Sequence, residues 1–298
     1  MNTETRPSGT KGPIIRGDVT RSITVVYETQ PAKGKSMRET LEILERVAPS
    51  DLTVIITGEQ GTGKEWAARL IHQLSARSSR PFHVVDCSAL PEDQVEKELF
   101  GFESLSWNGI ELKRSAFEEA AGGTLFLQDL DSTPDAVQLK VARAIEYGQY
   151  RRIGGEQLHT LGARLIVGMH DGPAAGRSKG VHHDTFASRS TSITIALPPL
   201  RKRKQEIPRL IEKLVEELGA RYGHKAQAVS PEAVDICCAY DWPGNIRQLK
   251  NAIEYASVMC RNGIIRPEHL PDYVRETRGR GHGAGLPGRD GSTPGDRL

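Results

Sequence analysis

Two short stretches hold residues whose types and spacing could do chemistry. The first, GEQGTGKE from Gly58 to Glu65, fits the pattern G-x-x-x-x-G-K, follows the apolar run Leu52–Thr57 and opens an amphipathic segment. There the glycines let the backbone N–H groups of Gly58, Glu59, Gln60, Gly61, Thr62 and Gly63 converge on phosphate oxygens. The N-terminus of the following helix adds a favourable field, and Lys64 reaches the β and γ phosphates of ATP. Glu65 stands where Ser or Thr usually contacts Mg²⁺, so the loop alone argues for nucleotide more than for metal.

The second stretch, GGTLFLQDLD from Gly122 to Asp131, ends its apolar run in Gln128 and Asp129. A nucleotide hydrolase built on the first loop would place two acids there. Gln128 can meet a metal only through bound water and brings no charge to balance Mg²⁺, while Asp129 is a methylene shorter than Glu. General-base assistance is worth about 10² to 10⁴ in rate, so a misplaced base leaves a slow leak. The alternative is that Asp129 takes over metal binding and Asp131 orients water.

The elements that must position these residues follow from the pattern. At 298 residues the chain can bury a full core, and a formal charge of +2 demands neither nucleic acid nor an acidic partner. The four cysteines form no CxxC pair, and no apolar run approaches the ~18 residues of a membrane helix. Reduced thiols in a soluble, cytoplasmic protein are expected. Strands are predicted at Leu52–Thr57, Phe82–Asp86, Thr124–Gln128, Ala163–Met169 and Ser192–Leu197, with helices between them, as in an α/β parallel sheet flanked by helices. Past Leu200 only helix signals remain, among them Glu206–Tyr222 and an N-cap at Ser230 followed by Pro231. The expected layout is a flexible arm over 1–34 containing a short strand of uncertain placement at Ser22–Glu28, an α/β nucleotide-binding unit over 35–200, a helical lid over 201–275 and a Gly-rich disordered tail over 276–298.

GEQGTGKEWAARLIH, ELFGFE, FEEAAGGTLFL, RRIGGE, LPPLRKRKQEIP and YDWPGNIRQLKNAIE occur in this order. Together they resemble the central AAA+ domain of the sigma-54-dependent transcription activators, the bacterial enhancer-binding proteins, from about Lys35 to Val274. The resemblance implies a ring-forming ATPase that remodels sigma-54 RNA polymerase, with ATP held between the chain and a copy of itself or a related subunit. It also implies an α/β unit followed by a helical lid, a Glu at position 65 as the ordinary residue, phosphate contacts from Thr62 and Lys64, and nucleotide sensing by Arg247.

Against the family's pattern, Gln128 and Asp129 occupy the positions of an Asp-Glu pair. Asp86 replaces an Asn that gates the Glu and would repel an acid at 129, and His170 replaces a polar Asn. Of two arginines offered to a neighbour's γ-phosphate, one aligns with His183 and the other with Arg189, a trans finger. His182 and His183 as a metal pair lack a third ligand. The GAFTGA loop that touches sigma-54 is replaced by LSWNGI, in which Trp107 and Gly109 keep an aromatic and a glycine while Asn108 replaces Thr. Trp107 either meets a partner or folds back onto the core. The basic run Arg201–Lys204 is expected to be a solvated face. No DNA-binding segment is evident, and no membrane contact is expected.

These features favour an ATP-binding transcription regulator with impaired hydrolysis and sigma-54 contact. Its rivals are an active AAA+ remodeller and, third, a P-loop kinase, which would leave WPGNIRQL without a role.

Overall fold

The computed structural model describes residues 35–106, 109–170, 192–222, 228–261 and 263–276. The chain begins with α1 (Lys35–Val47), β1 (Thr53–Thr57), α2 (Lys64–Gln73), β2 (Phe82–Asp86) and α3 (Glu92–Phe100). A hairpin of β3 (Phe102–Ser106) and β4 (Gly109–Lys113) follows, then α4 (Ala116–Glu119), β5 (Thr124–Gln128) and α5 (Asp135–Tyr147). A second hairpin pairs β6 (Gln149–Arg151) with β7 (Leu158–Thr160), before β8 (Arg164–Met169) and β9 (Ser192–Ala196). The last third holds α6 (Ile207–Tyr222), β10 (Ala228–Val229), α7 (Pro231–Ala239), α8 (Asn245–Met259), β11 (Ile264–Ile265) and α9 (Asp272–Arg275).

The strands of the main sheet lie in the order β2-β5-β8-β1-β9, and every pair is parallel. They read as unbroken apolar runs such as TVIIT and RLIVGM because both faces are covered. Side chains alternate across the sheet. Ile55, Leu125, Leu127, Leu165 and Val167 pack on one side with Val95 and Leu99 of α3 and Val137 and Val141 of α5. Val54, Ile56, Phe126, Ile166 and Ile195 pack on the other with Leu44 of α1 and Ala67, Ala68 and Ile71 of α2. Each fully buried branched side chain contributes about 1.5–3 kcal/mol.

A third core, separate from these two, belongs to the helices after Leu200. Ile207, Ile211 and Leu218 of α6, Ile236 of α7 and Leu249, Ile253 and Ala256 of α8 surround Trp242, whose indole N–H donates to the Cys237 carbonyl at 2.7 Å. Ser230 caps α7 by accepting from the Ala233 N–H, and Pro231 follows it, as the sequence predicts.

The five expected strands fall within a residue of their predicted ends. The two hairpins were not anticipated, because their short strands carry Glu, Lys, Ser and Gly and show no apolar run. The expected strand at Ser22–Glu28, the arm, and the tail beyond Glu276 lie outside the described residues.

Candidate functional site

The functional side chains leave the carboxyl ends of the parallel strands, where ligands bind in open α/β sheets. After β1 the loop Gly58–Gly63 turns back over the sheet. The Gly58 N–H donates to the Met169 carbonyl at 3.3 Å, and Lys64 Nζ donates to the Gly58 carbonyl at 3.2 Å. Gly61 sits at φ +77, and a Cβ there would lie 2.4 Å from the Gly244 carbonyl oxygen, so position 61 admits only glycine.

The helical unit holds this loop from the far side. The Ile246 N–H donates to the Gly61 carbonyl at 2.9 Å. Asn245, left-handed at φ 52, donates from Nδ2 to the Gln60 carbonyl at 2.9 Å, while its Oδ1 accepts from the Leu200 N–H at 2.8 Å. Arg203 donates to the Thr62 carbonyl at 2.8 Å. Arg201 makes two bonds to Glu59, which holds that carboxyl below its usual range.

The end of β5 carries Gln128 and, just beyond it, Asp129. Gln128 Nε2 donates to Asp86 Oδ2 at 3.0 Å, and the other oxygen of Asp86 accepts from the Ser88 N–H and hydroxyl at 3.1 and 2.7 Å. Asp86 is thus engaged by an amide and a serine. Asp129 adopts a left-handed backbone, φ 53 and ψ 45, and its Oδ1 lies 3.0 Å from Lys64 Nζ. That oxygen is buried and accepts no hydrogen bond among the described residues.

Asp131 lies beyond, tied to His170 at the end of β8. Its Oδ2 accepts from the His170 backbone N–H at 3.1 Å and lies 3.0 Å from Nδ1. The imidazole's other nitrogen, Nε2, lies 3.6 Å from Asp129 Oδ1. Burial opposes ionisation of Asp131, but the hydrogen bond and charge of His170 outweigh it and hold the carboxyl below its ordinary value. The bond to Asp131 raises His170 in turn, against burial and helped by the charge of Asp129.

Beside Lys64 and Asp129 lies a cavity of about 370 Å³ lined by Gln60, Gly61 and Gly63 to Trp66, by Gln128 and Asp129, and by Ile246, Arg247 and Lys250 of α8. Lys64, Arg247 and Lys250 give it three cations, which suits a polyphosphate. Glu65 forms an ion pair with Arg69 at 2.7 Å on its own helix.

Residues 31–195 match the sigma-54 interaction domain, and residues 201–285 match the AAA+ ATPase lid domain. The chain belongs to the sigma-54 activator family. It is 40% identical over 237 residues to the transcriptional regulatory protein ZraR of Klebsiella oxytoca, covering 79% of this chain and 54% of that protein. With the Nif-specific regulatory protein of Azotobacter vinelandii it shares 35% identity over 231 residues, 77% of this chain and 44% of that one. Its fold superposes on NtrX from Brucella abortus, solved in complex with ATP, with a TM-score of 0.74 at 29% identity, covering 87% of this chain and 58% of that one. The chain thus spans about half the length of these relatives.

Of the residues that sequence reasoning placed in the site, Gln60, Gly61, Gly63, Lys64, Glu65, Gln128, Asp129 and Arg247 line one cavity. The basic run 201–204 corrects an expectation. Arg203 is fully buried, and its guanidinium reaches the Thr62 carbonyl and Met37 Sδ, while Lys204 pairs with Asp241. The run is a bracket between loop and lid, with Arg201 and Lys202 exposed, Arg203 buried and Lys204 half-buried. Lys250 was missed, although it lies three residues after Arg247 on one helix face. Asn245 was quoted within DWPGN but not assigned its bridging role. Trp107, Asn108, His182, His183 and Arg189 lie outside the described residues; Gly109 begins β4. Among the described residues no helix is long and apolar enough to cross a membrane.

Proposed function

We propose that this sigma-54 activator family member is an ATP-binding transcription regulator that holds the nucleotide in the cavity above Lys64 and hydrolyses it slowly or not at all. The cationic lining, the glycine loop and the similarity to an ATP complex of NtrX support the nucleotide. The bond from Gln128 to Asp86 carries the second half. It engages the neutral amide that stands at the position of the family's metal-binding acid, and the shorter Asp129 has its carboxylate 3.0 Å from Lys64 Nζ.

The regulator would act by assembling with itself or with a related subunit in a ring, Arg189 being the residue offered across the interface. Its contact with sigma-54 RNA polymerase would be weakened by Asn108. Nucleotide occupancy would be read through Arg247 and the brackets Asn245 and Arg203, which join the loop to the helical unit.

The experiment is ATP affinity and steady-state hydrolysis on the purified chain. Tight binding with turnover far below about one per second is the expected result. Turnover at or above that rate, abolished by Asp129→Ala, overturns it.

One observation favours a second reading, an active remodeller. Ligand atoms of Asp129, Asp131 and His170 lie within 4.8 Å of one another, so a relocated polar cluster stands where the ordinary pair is missing. It would be marked by fast turnover that survives in wild type and is lost in Asp131→Asn.

A further inference from the structure

We propose that the cation accompanying ATP in this site is a first-row transition-metal ion held by His170 Nε2 and Asp129, in preference to Mg²⁺. The inference rests on the nucleotide reading above and names the metal class of that same site.

Mg²⁺ takes one or two carboxylates, phosphate oxygens and water, and does not favour nitrogen. Here Gln128 is engaged with Asp86, so one carboxylate, Asp129, remains beside Lys64. The other donor facing it is an imidazole nitrogen 3.6 Å away. Both can reach one ion at about 2.0–2.2 Å from each. Imidazole with carboxylate suits Co²⁺, Zn²⁺ and their neighbours.

Two further observations point to a ligand. Asp129 Oδ1 is buried, its side chain 7% exposed, and accepts no hydrogen bond among the described residues, with Lys64 Nζ as its nearest cation at 3.0 Å. Phosphate oxygens in the cavity compete for Lys64, and a buried carboxylate then needs another cation. The second is Asp131, bound to Nδ1 of the same imidazole at 3.0 Å. A carboxylate on the far nitrogen orients a metal-binding histidine and increases its basicity, which makes Asp131 a positioning residue. The metal takes the imidazole with Nε2 unprotonated and Nδ1–H donated to Asp131.

The test uses the full chain. ATP affinity is measured by calorimetry with Mg²⁺ and with Co²⁺, and the Mn²⁺–ATP complex is examined by pulsed EPR for a directly bound nitrogen. The expected result is a Co²⁺ over Mg²⁺ preference of about tenfold or more that His170→Asn removes and Asp131→Asn reduces. Nitrogen coupling to Mn²⁺ should be present in wild type and Asp131→Asn and absent in His170→Asn. ATP binding without nitrogen coupling in the wild type overturns the metal assignment and leaves the nucleotide reading standing. No ATP binding with any ion, or without one, overturns both. The wild-type spectrum decides even where a variant fails to fold.

Discussion

Lys64 Nζ and Asp129 Oδ1 lie 3.0 Å apart, with side chains only 6% and 7% exposed. The lysine that should grip phosphate is thus also the counter-charge of the acid beside it. Lys64→Ala should abolish ATP binding and also destabilise the ligand-free fold by about 3 kcal/mol, because a buried carboxylate loses its partner. Lys64→Ala/Asp129→Ala should recover most of that loss. Urea denaturation of the single and double variants measures both; additive losses would show that the pair is not coupled.

A carboxylate at 128 would face Asp86 in place of the amide that now bonds it at 3.0 Å. Gln128→Asp alone should therefore cost about 1–3 kcal/mol, since an amide donor is exchanged for a like charge. Adding Asp86→Asn should relieve it. On the slow-hydrolysis reading, only the triple change Asp86→Asn/Gln128→Asp/Asp129→Glu should raise turnover sharply, by about 10²-fold or more. Unchanged turnover in a folded, nucleotide-bound, oligomeric triple variant would count against that reading.

The sheet was legible because its strands are buried on both faces and read as apolar runs, and the loop because four separate cues agree between Thr57 and Glu65. What the sequence hid is set by backbone and by partners distant in the chain. Nothing in LFLQDLD announces that Asp129 turns left-handed and so aims its carboxylate at Lys64. Arg203 looks like any residue of a basic run until it is found under Thr62, about 140 positions away in sequence. The hairpin strands β3, β4, β6 and β7 escaped because their pairing is local and their residues mix polar and apolar types without an apolar run.

Asn245 joins three segments: it accepts from the Leu200 N–H, donates to the Gln60 carbonyl and holds a positive φ at the start of α8. Asn245→Ala should lose these two bonds and a third, from Nδ2 to Glu59 Oε2 at 3.2 Å, and strain the backbone, costing about 2–4 kcal/mol, whereas Asn245→Gly should cost less because the conformation is free for glycine. Both should weaken ATP binding if the lid reports nucleotide through this bracket. The order is checked by thermal denaturation; a glycine variant as unstable as the alanine one would show that strain contributes nothing.

His72, in the last turn of α2, is buried with Nδ1 2.9 Å from the Thr124 hydroxyl and its ring tilted against Phe82. Burial, then the charges of Arg69 and Arg164, hold it below its ordinary 6.5, against a backbone hydrogen bond involving Arg80. The unfolded chain takes up a proton on this imidazole as pH falls through 6.5, while the folded chain resists it to a lower pH. Its contribution is therefore fully present above 6.5 and is lost as pH falls through the lower, folded value. Wild type should lose stability between about pH 7 and pH 5 more steeply than His72→Gln, which has nothing to titrate there. Denaturant melts of the two proteins across that range provide the check, and parallel pH profiles would remove His72 as the cause.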